Sequence, residues 1–544
     1  MPIMRPLFVY LSVAISCLLV TLMPLRADNL SANHAGSEMG KVGKVHFITS
    51  CSPRVRGTFD KGVALLHSFQ YDLSRIVFEE VAREDPHCAM AYWGQALSLY
   101  HPLWAWPNAQ TLQQGHLDMD TAERIGAKTE RERTYIHAVA IYYQDNTAIN
   151  TAARAIAYSD AMAEVHQHYP EDNNSAALYA LSLIGVRSPD KASNMSRRIK
   201  AIGILDELYL KEPGNPGVTH YLIHATDTPE LARLGLNAAR RYAMIAPDAP
   251  HALHMPSHIF TELGMWQESI RSNLASAAVA EKNTKSDVDN ESGDQIHALS
   301  FLQYAYLQTG RNADARRIIN EIKMVPGAST EDIANNQSML QAVYFEEAHD
   351  WKGAAAFVPE PDSYPMIQVL AYAVRAIGEA RTGDVSGASA DIQKLRNATR
   401  AMQAAMKGMG MMDGAQDAGE TLSEVEATAW LAFSAGKADE ALTKMKAAAD
   451  RGGSSMRMSG LPGVPAGEML GDLLLELHRP SEALAVYQGV LKVAPNRFDS
   501  LYGAARAAVL AGNLAAARDY FGQLERMCGP DADRMELKEP QTKH

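Results

Sequence analysis

The chain has 544 residues, 47% hydrophobic, 21% charged and 7% aromatic, a folded composition in a chain too long for one compact core. Its 51 Lys and Arg residues stand against 63 Asp and Glu residues, a net charge of −12, and no basic stripe offsets that balance, which argues against nucleic acid as a partner. Few aromatics, abundant alanine and the lack of alternating Val, Ile and Thr runs exclude extensive sheet, so the chain is expected to be all-α.

The stretch 1–27 reads as an export signal. Arg5 supplies the positive start, an apolar run extends from Leu7 to Leu25, and Ala27 offers a small residue for cleavage before Asp28. If kept, the same run approaches the roughly 20 residues that span a bilayer, so anchoring through residues 7–25 is the alternative, and membrane contact is expected only in that case. A lipoprotein reading at Cys17 is weaker, because the apolar run continues past that cysteine. Cleavage places the mature chain in the periplasm or another exported, oxidising compartment, where Cys51 and Cys88 can form a bridge. On the chain-entropy model such a loop would stabilise by roughly 4 kcal/mol. Two buried free thiols, or a metal site with His67 or His87, are the other readings.

Beyond a linker over residues 28–44, a repeat sets in. Pro86, Pro213, Pro247 and Pro495 terminate units. Gly471, Ala483 and Tyr487 in one unit and Gly512, Ala517 and Phe521 in the next mark small and aromatic positions where paired helices cross, and Gly310 with Ala315, and Trp351 with Ala354, continue the series. At least eight helix pairs are expected between Val45 and Met527. The step from Pro213 to Pro247 matches the tetratricopeptide period of about 34 residues, which predicts a right-handed superhelical solenoid of tetratricopeptide-type helix pairs. Pro102 to Gly115 and the acidic stretch Asn283 to Asp294 interrupt the register and are expected as surface loops. A Met- and Gly-rich segment over 397–420 is expected to divide an amino-terminal superhelix, 45–396, from carboxyl-terminal units, 421–530, with a polar tail over 531–544.

The string His251-Ala252-Leu253-His254-Met255-Pro256-Ser257-His258-Ile259-Phe260, followed by Leu263-Gly264-Met265-Trp266, resembles a signature of exported bacterial tetratricopeptide-repeat proteins. The likeness extends to Thr219–Ala225, Phe59–Phe69, Cys88–Gly94 and Pro495–Phe498, and so spans most of the mature chain. It implies a solenoid with a groove for a protein or peptide partner. It implies no particular chemistry.

Five histidines, His220, His224, His251, His254 and His258, crowd into one short stretch, far more than an even scatter of the chain's 18 would place there. His220 to His254, His224 to His258 and His67 to His101 each repeat the step from Pro213 to Pro247. Residues four apart stack on one helix face, so His220 with His224 and His254 with His258 form two pairs on neighbouring repeats. Together they are the candidate ligands for a transition metal, zinc, copper, nickel or iron. His67, His101, His251, Glu262 and His297 are expected to line the binding groove beside them. The alternatives are a groove that binds its partner without metal, and histidines that serve packing alone.

No catalytic residue is assigned. A metal-dependent enzyme with Glu262 or Asp227 as acid or base is a minor reading, since the pairs lack the intervening glutamate of HExxH and no phosphate loop or nucleophile elbow is present. Met402, Met406, Met409, Met411 and Met412, with Met456 and Met458, could offer thioethers to Cu(I), but methionine at helical spacing more often fills apolar gaps.

Overall fold

The computed structural model describes residues 40–103, 107–144, 150–188, 190–286, 289–360, 363–408, 420–452 and 460–537. The export signal, Cys17, the alternative anchor over 7–25, and Met409, Met411, Met412, Met456 and Met458 lie outside the described residues. Among those residues the elements are α-helices with a few 3₁₀ turns, and each helix packs on its neighbours in the chain as a succession of hairpins. The fold is an all-α solenoid. No described helix is long and apolar enough to cross a membrane.

The predicted terminators work as terminators. Helices Tyr71–Glu84, Lys191–Lys211, Ala232–Ile245 and Pro480–Val493 each stop just before Pro86, Pro213, Pro247 and Pro495, because the residue before a proline is pushed out of helical backbone. The crossings show why small residues recur. Phe78 lies between Gly62 and Gly94 of the flanking helices, where an added Cβ would come within 3.0 and 2.5 Å of its ring. Tyr487 lies in the same way between Gly471 and Gly503, with 2.5 and 2.3 Å. One arrangement thus serves both ends of the chain.

Three large apolar cores follow in order, one spanning Phe47 to Phe260, one from Trp266 to Ile367 with Leu461, and one from Ala373 to Ala507. The carboxyl-terminal units fold back on the middle of the chain. The Trp266 indole donates to the Asn496 carbonyl at 2.7 Å, and a Cβ at Gly264, whose φ is +63°, would stand 2.2 Å from the Pro495 carbonyl oxygen. Only glycine fits that approach. Beside it Arg497, buried, donates to Glu468 at 3.0 and 2.8 Å, to Glu347 at 3.0 Å and to the Tyr304 hydroxyl at 2.6 Å.

Several segments differ from expectation. Residues 531–537, expected as part of a polar tail, are docked. Asp533 accepts from the backbone N–H groups of Asn312 and Ala313 at 2.7 and 2.8 Å, and Arg534 is buried against Asp499 at 2.7 Å. Those two N–H groups have no partner within helix Asn312–Glu321, which they begin, and that is why a distant carboxylate is held there. Within the expected linker, Lys41 donates from its backbone to Asp248 at 2.6 Å and Lys44 to the Gly214 carbonyl at 3.3 Å, with Val42 buried between. The two predicted loops are shorter than expected, because helix Ala109–Ile125 takes up Gly115 and helices Trp266–Lys285 and Ser292–Gln308 take up both ends of the acidic stretch. Helix Val385–Gly408 likewise runs into the Met-rich segment. The Cys51 and Cys88 sulfurs stand at bonding distance, 2.01 Å, so the expected disulfide is present.

Candidate metal centre

The histidine-bearing helices begin on strong local signals. Asn215 caps helix Pro216–Thr226 with its side chain, and Pro216 occupies the first turn, where its missing N–H costs nothing. One repeat later the corresponding helix is in two pieces, Pro250–His254 and Pro256–Glu262. Pro256 lacks the N–H that would continue the ladder, so the helix bends at Met255 while keeping helical backbone there. The stacking of residues four apart survives the bend, and His254 and His258 still meet.

The structure sorts the histidines into two sets of three rather than one set of four. His220, His224 and His251 bring ligand atoms within 4.8 Å of one another, and His254, His258 and His297 do the same. Each set takes a stacked pair from one repeat and a single histidine from the next. His251 and His297, expected only to line a groove, complete the triads. In the first, the His220 Nε2 lies 3.0 Å from the His224 Nε2 and 3.1 Å from the His251 Nε2. In the second, the His254 and His258 Nε2 atoms are 3.0 Å apart, and the His297 ring centre lies 4.2 Å from that of His254.

The outer ring nitrogens show where the protons sit, since the tautomer follows from the partner. The His220 Nδ1 is 2.7 Å from the His67 carbonyl oxygen, which can only accept. The His254 Nδ1 is 2.7 Å from the Asn273 Oδ1, and the Asn273 amide is oriented by its own donation to the Ser269 carbonyl at 2.8 Å. The His258 Nδ1 is 2.8 Å from the Asp227 carboxylate. All three imidazoles therefore carry a proton on Nδ1 and, when neutral, present a lone pair at Nε2. With both rings neutral, the His254 and His258 Nε2 lone pairs face each other at 3.0 Å.

Burial makes protonation an expensive remedy. His220 is fully buried and His254 is 1% exposed, and desolvation holds His220, His224 and His254 well below the usual imidazole range, with neighbouring histidines adding to the effect. His297 is lowered to about 3 for the same reason. Aromatic rings cover both triads. Phe69 lies 4.3 Å from the His220 ring and also meets His224 and His251, while Phe301 lies within 4.7 to 5.3 Å of His254, His258 and His297. Phe69 holds a φ of +58° to do so, a backbone that a bulky side chain adopts only where its surroundings enforce it.

The other expected groove residues lie elsewhere. His67 is fully buried, shares a hydrogen bond between its Nδ1 and the Tyr221 hydroxyl at 2.7 Å, and serves the first triad through its backbone carbonyl. Its ring also explains where the series of triads starts. Gly217 stands one repeat before His251, and a Cβ there would meet the His67 ring at 2.6 Å, so no histidine fits at that offset. His101 stacks on Tyr71 at 4.0 Å, apart from both triads. Glu262 is pushed up to about 8 by burial, with Asp227 and Glu230 nearby. Asn273, Phe69 and Phe301 are neighbours that sequence reasoning did not single out, because none carries a spacing signal of its own. The sequence marks Asp227 only as a candidate acid or base, whereas the structure gives it the orienting contact to His258.

Residues 468–532 match the family model of the tetratricopeptide repeat. No curated protein matches the chain. Among solved structures, a monomeric mutant of IFIT1 with Gppp-AAAA is similar with a TM-score of 0.34 at 11% identity, covering 88% of this chain and 96% of that one. A human IFIT1 dimer with m7Gppp-AAAA gives 0.33 at 11%, covering 86% and 95%. The chain is an all-α helical-repeat protein that carries a tetratricopeptide repeat over residues 468–532, a type of surface that generally serves protein–protein contact.

Proposed function

We propose that this helical-repeat protein binds transition-metal ions at its two histidine triads, one per triad, and presents that metal-bearing surface to a protein partner. The observation that carries the metal reading is the approach of the His254 and His258 Nε2 atoms to 3.0 Å while an acceptor holds the Nδ1 of each, so that two neutral rings would turn their lone pairs on one another. A cation between them turns that repulsion into attraction, and a third nitrogen from His297 suits a metal ion better than a shared proton. The outer contacts to Asp227, Asn273 and the His67 carbonyl are the kind that orient metal-bound imidazoles. Export through residues 1–27 belongs to the same reading, and the Cys51–Cys88 bond suits the oxidising compartment it would reach.

The test is metal content by mass spectrometry on protein purified from its own compartment, beside the His224→Ala/His258→Ala double variant, which removes one ligand from each triad. Near-stoichiometric zinc, copper, nickel or iron in the parent and its loss in a folded variant is the expected result. Equal, substoichiometric metal in both would sink the reading and leave the histidines as packing or partner contacts.

A further inference from the structure

The two triads are neighbours. His251 and His254 lie one turn apart on the same bent helix, with ring centres 6.3 Å apart although they belong to different triads, and the His224 and His258 rings are 6.5 Å apart across the same divide. The triads therefore share a wall, and groups bound to one stand close to groups bound to the other.

Each triad offers three protein nitrogens. A closed tetrahedral site needs four, so the three nitrogens the described residues supply leave each ion room for at least one further ligand. The charges point to what fills it. Six neutral imidazoles bring no charge to two divalent ions. Among the described residues, carboxylates at the triads include Asp227, on the His258 Nδ1, and Asp294, 3.7 Å from the His251 Nδ1. These two carboxylates alone do not balance two divalent ions, and beneath Phe69 and Phe301, where His251 is 9% and His258 8% exposed, an uncompensated charge is costly.

From this juxtaposition we infer that the two triads form one dinuclear centre, which takes a small oxyanion of the phosphate or carbonate type into the open positions of both ions. The inference rests on the metal reading and goes further, because it makes the triads a single ligand-binding site rather than two separate ones. An oxyanion fits the requirement on two counts. It brings the missing negative charge, and its oxygens are spread widely enough to bind two ions at once.

Copper(II) and inorganic phosphate are the probes. The full chain is loaded with copper, the excess removed, and the copper content counted beside its electron paramagnetic resonance spectrum, before and after phosphate is titrated in. The expected result is one copper per triad, a spectrum broadened or silenced by coupling between the ions, and uptake of one phosphate per chain that alters it. His224→Ala and His297→Ala, each lacking one ligand of a different triad, should each retain the copper of the intact triad, show an isolated copper signal, and bind phosphate roughly tenfold more weakly or worse, about 1.4 kcal/mol. Two isolated, additive signals in the parent would overturn the dinuclear centre and leave the metal reading standing. Coupling without phosphate uptake, or phosphate uptake undiminished in both single-triad variants, would overturn the shared oxyanion site and likewise leave the metal reading standing. A parent that retains no copper would overturn both readings together.

Discussion

Two buried polar seams cross this solenoid, and they are built on opposite terms. In the carboxyl-terminal seam Arg497 lies against Glu468 and Glu347, and Arg534 against Asp499, all nearly unexposed. Every cation there meets anions, and the seam joins helices that are far apart in sequence. In the histidine seam six like groups face one another, three of them with protons turned outward by acceptors. Buried polar groups are costly unless satisfied. The first seam is satisfied by its own residues and reads as structure, whereas the second, on the reading proposed above, would be completed by bound metal ions.

The largest effect is expected from breaking the first seam. Arg497→Met leaves Glu468 and Glu347 buried without their cation and should cost about 3–5 kcal/mol in urea unfolding. Metal content should be unchanged; a variant as stable as the parent would mean that the seam does not hold the carboxyl-terminal units in place. The Cys51→Ser/Cys88→Ser variant belongs to neither seam and serves as the control. It should lose about 4 kcal/mol on the chain-entropy model, again with metal retained, and loss of metal there would show that the seams are not independent of the amino-terminal fold.

The second seam is probed through its outer contacts. Asp227→Asn weakens the acceptor on the His258 Nδ1 and should lower metal affinity about 10–100-fold, measured by competition with a chelator, while unfolding of the metal-free protein moves little. An unchanged affinity would remove Asp227 from the site. The smallest effect is on pH dependence. Glu291 is buried, accepts from Gln70 and Asn283 at 2.8 and 2.7 Å, and is raised to about 8, by desolvation first and then by Asp294. Its folded form holds the proton more tightly than the unfolded chain does. Its contribution to stability is therefore complete below the ordinary glutamate range, declines as pH rises, and is gone once pH passes about 8. Unfolding curves from pH 5 to 9 should fall more steeply for the parent than for Glu291→Gln, and parallel curves would refute the assignment.

Much of the fold was legible in the chain because its signals are local. Pro86, Pro213, Pro247 and Pro495 end the helices just before them by local backbone sterics alone, and the repeat interval recurs whether or not the repeats touch. The stacked pairs His220 with His224 and His254 with His258 follow from helical geometry alone. The site was legible only in part, since the third member of each triad comes from the following repeat. His251 and His297 looked like groove residues because their offset from the pairs depends on how successive helices pack, and an acidic stretch lengthens the second interval.

What the sequence by itself determined was the all-α class, the helix boundaries set by proline, the pairing of Cys51 with Cys88 as one reading among several, and the concentration of histidine. Only the tertiary structure decided that the histidines divide three and three, that the His67 carbonyl and Asp227 turn their protons outward, and that residues 495–537 close against the middle of the chain. The reason is physical. Helix starts and stops depend on neighbours within a turn or two, whereas the protonation of a buried ring depends on whichever acceptor the packed chain brings to it, here from residues up to 153 positions away.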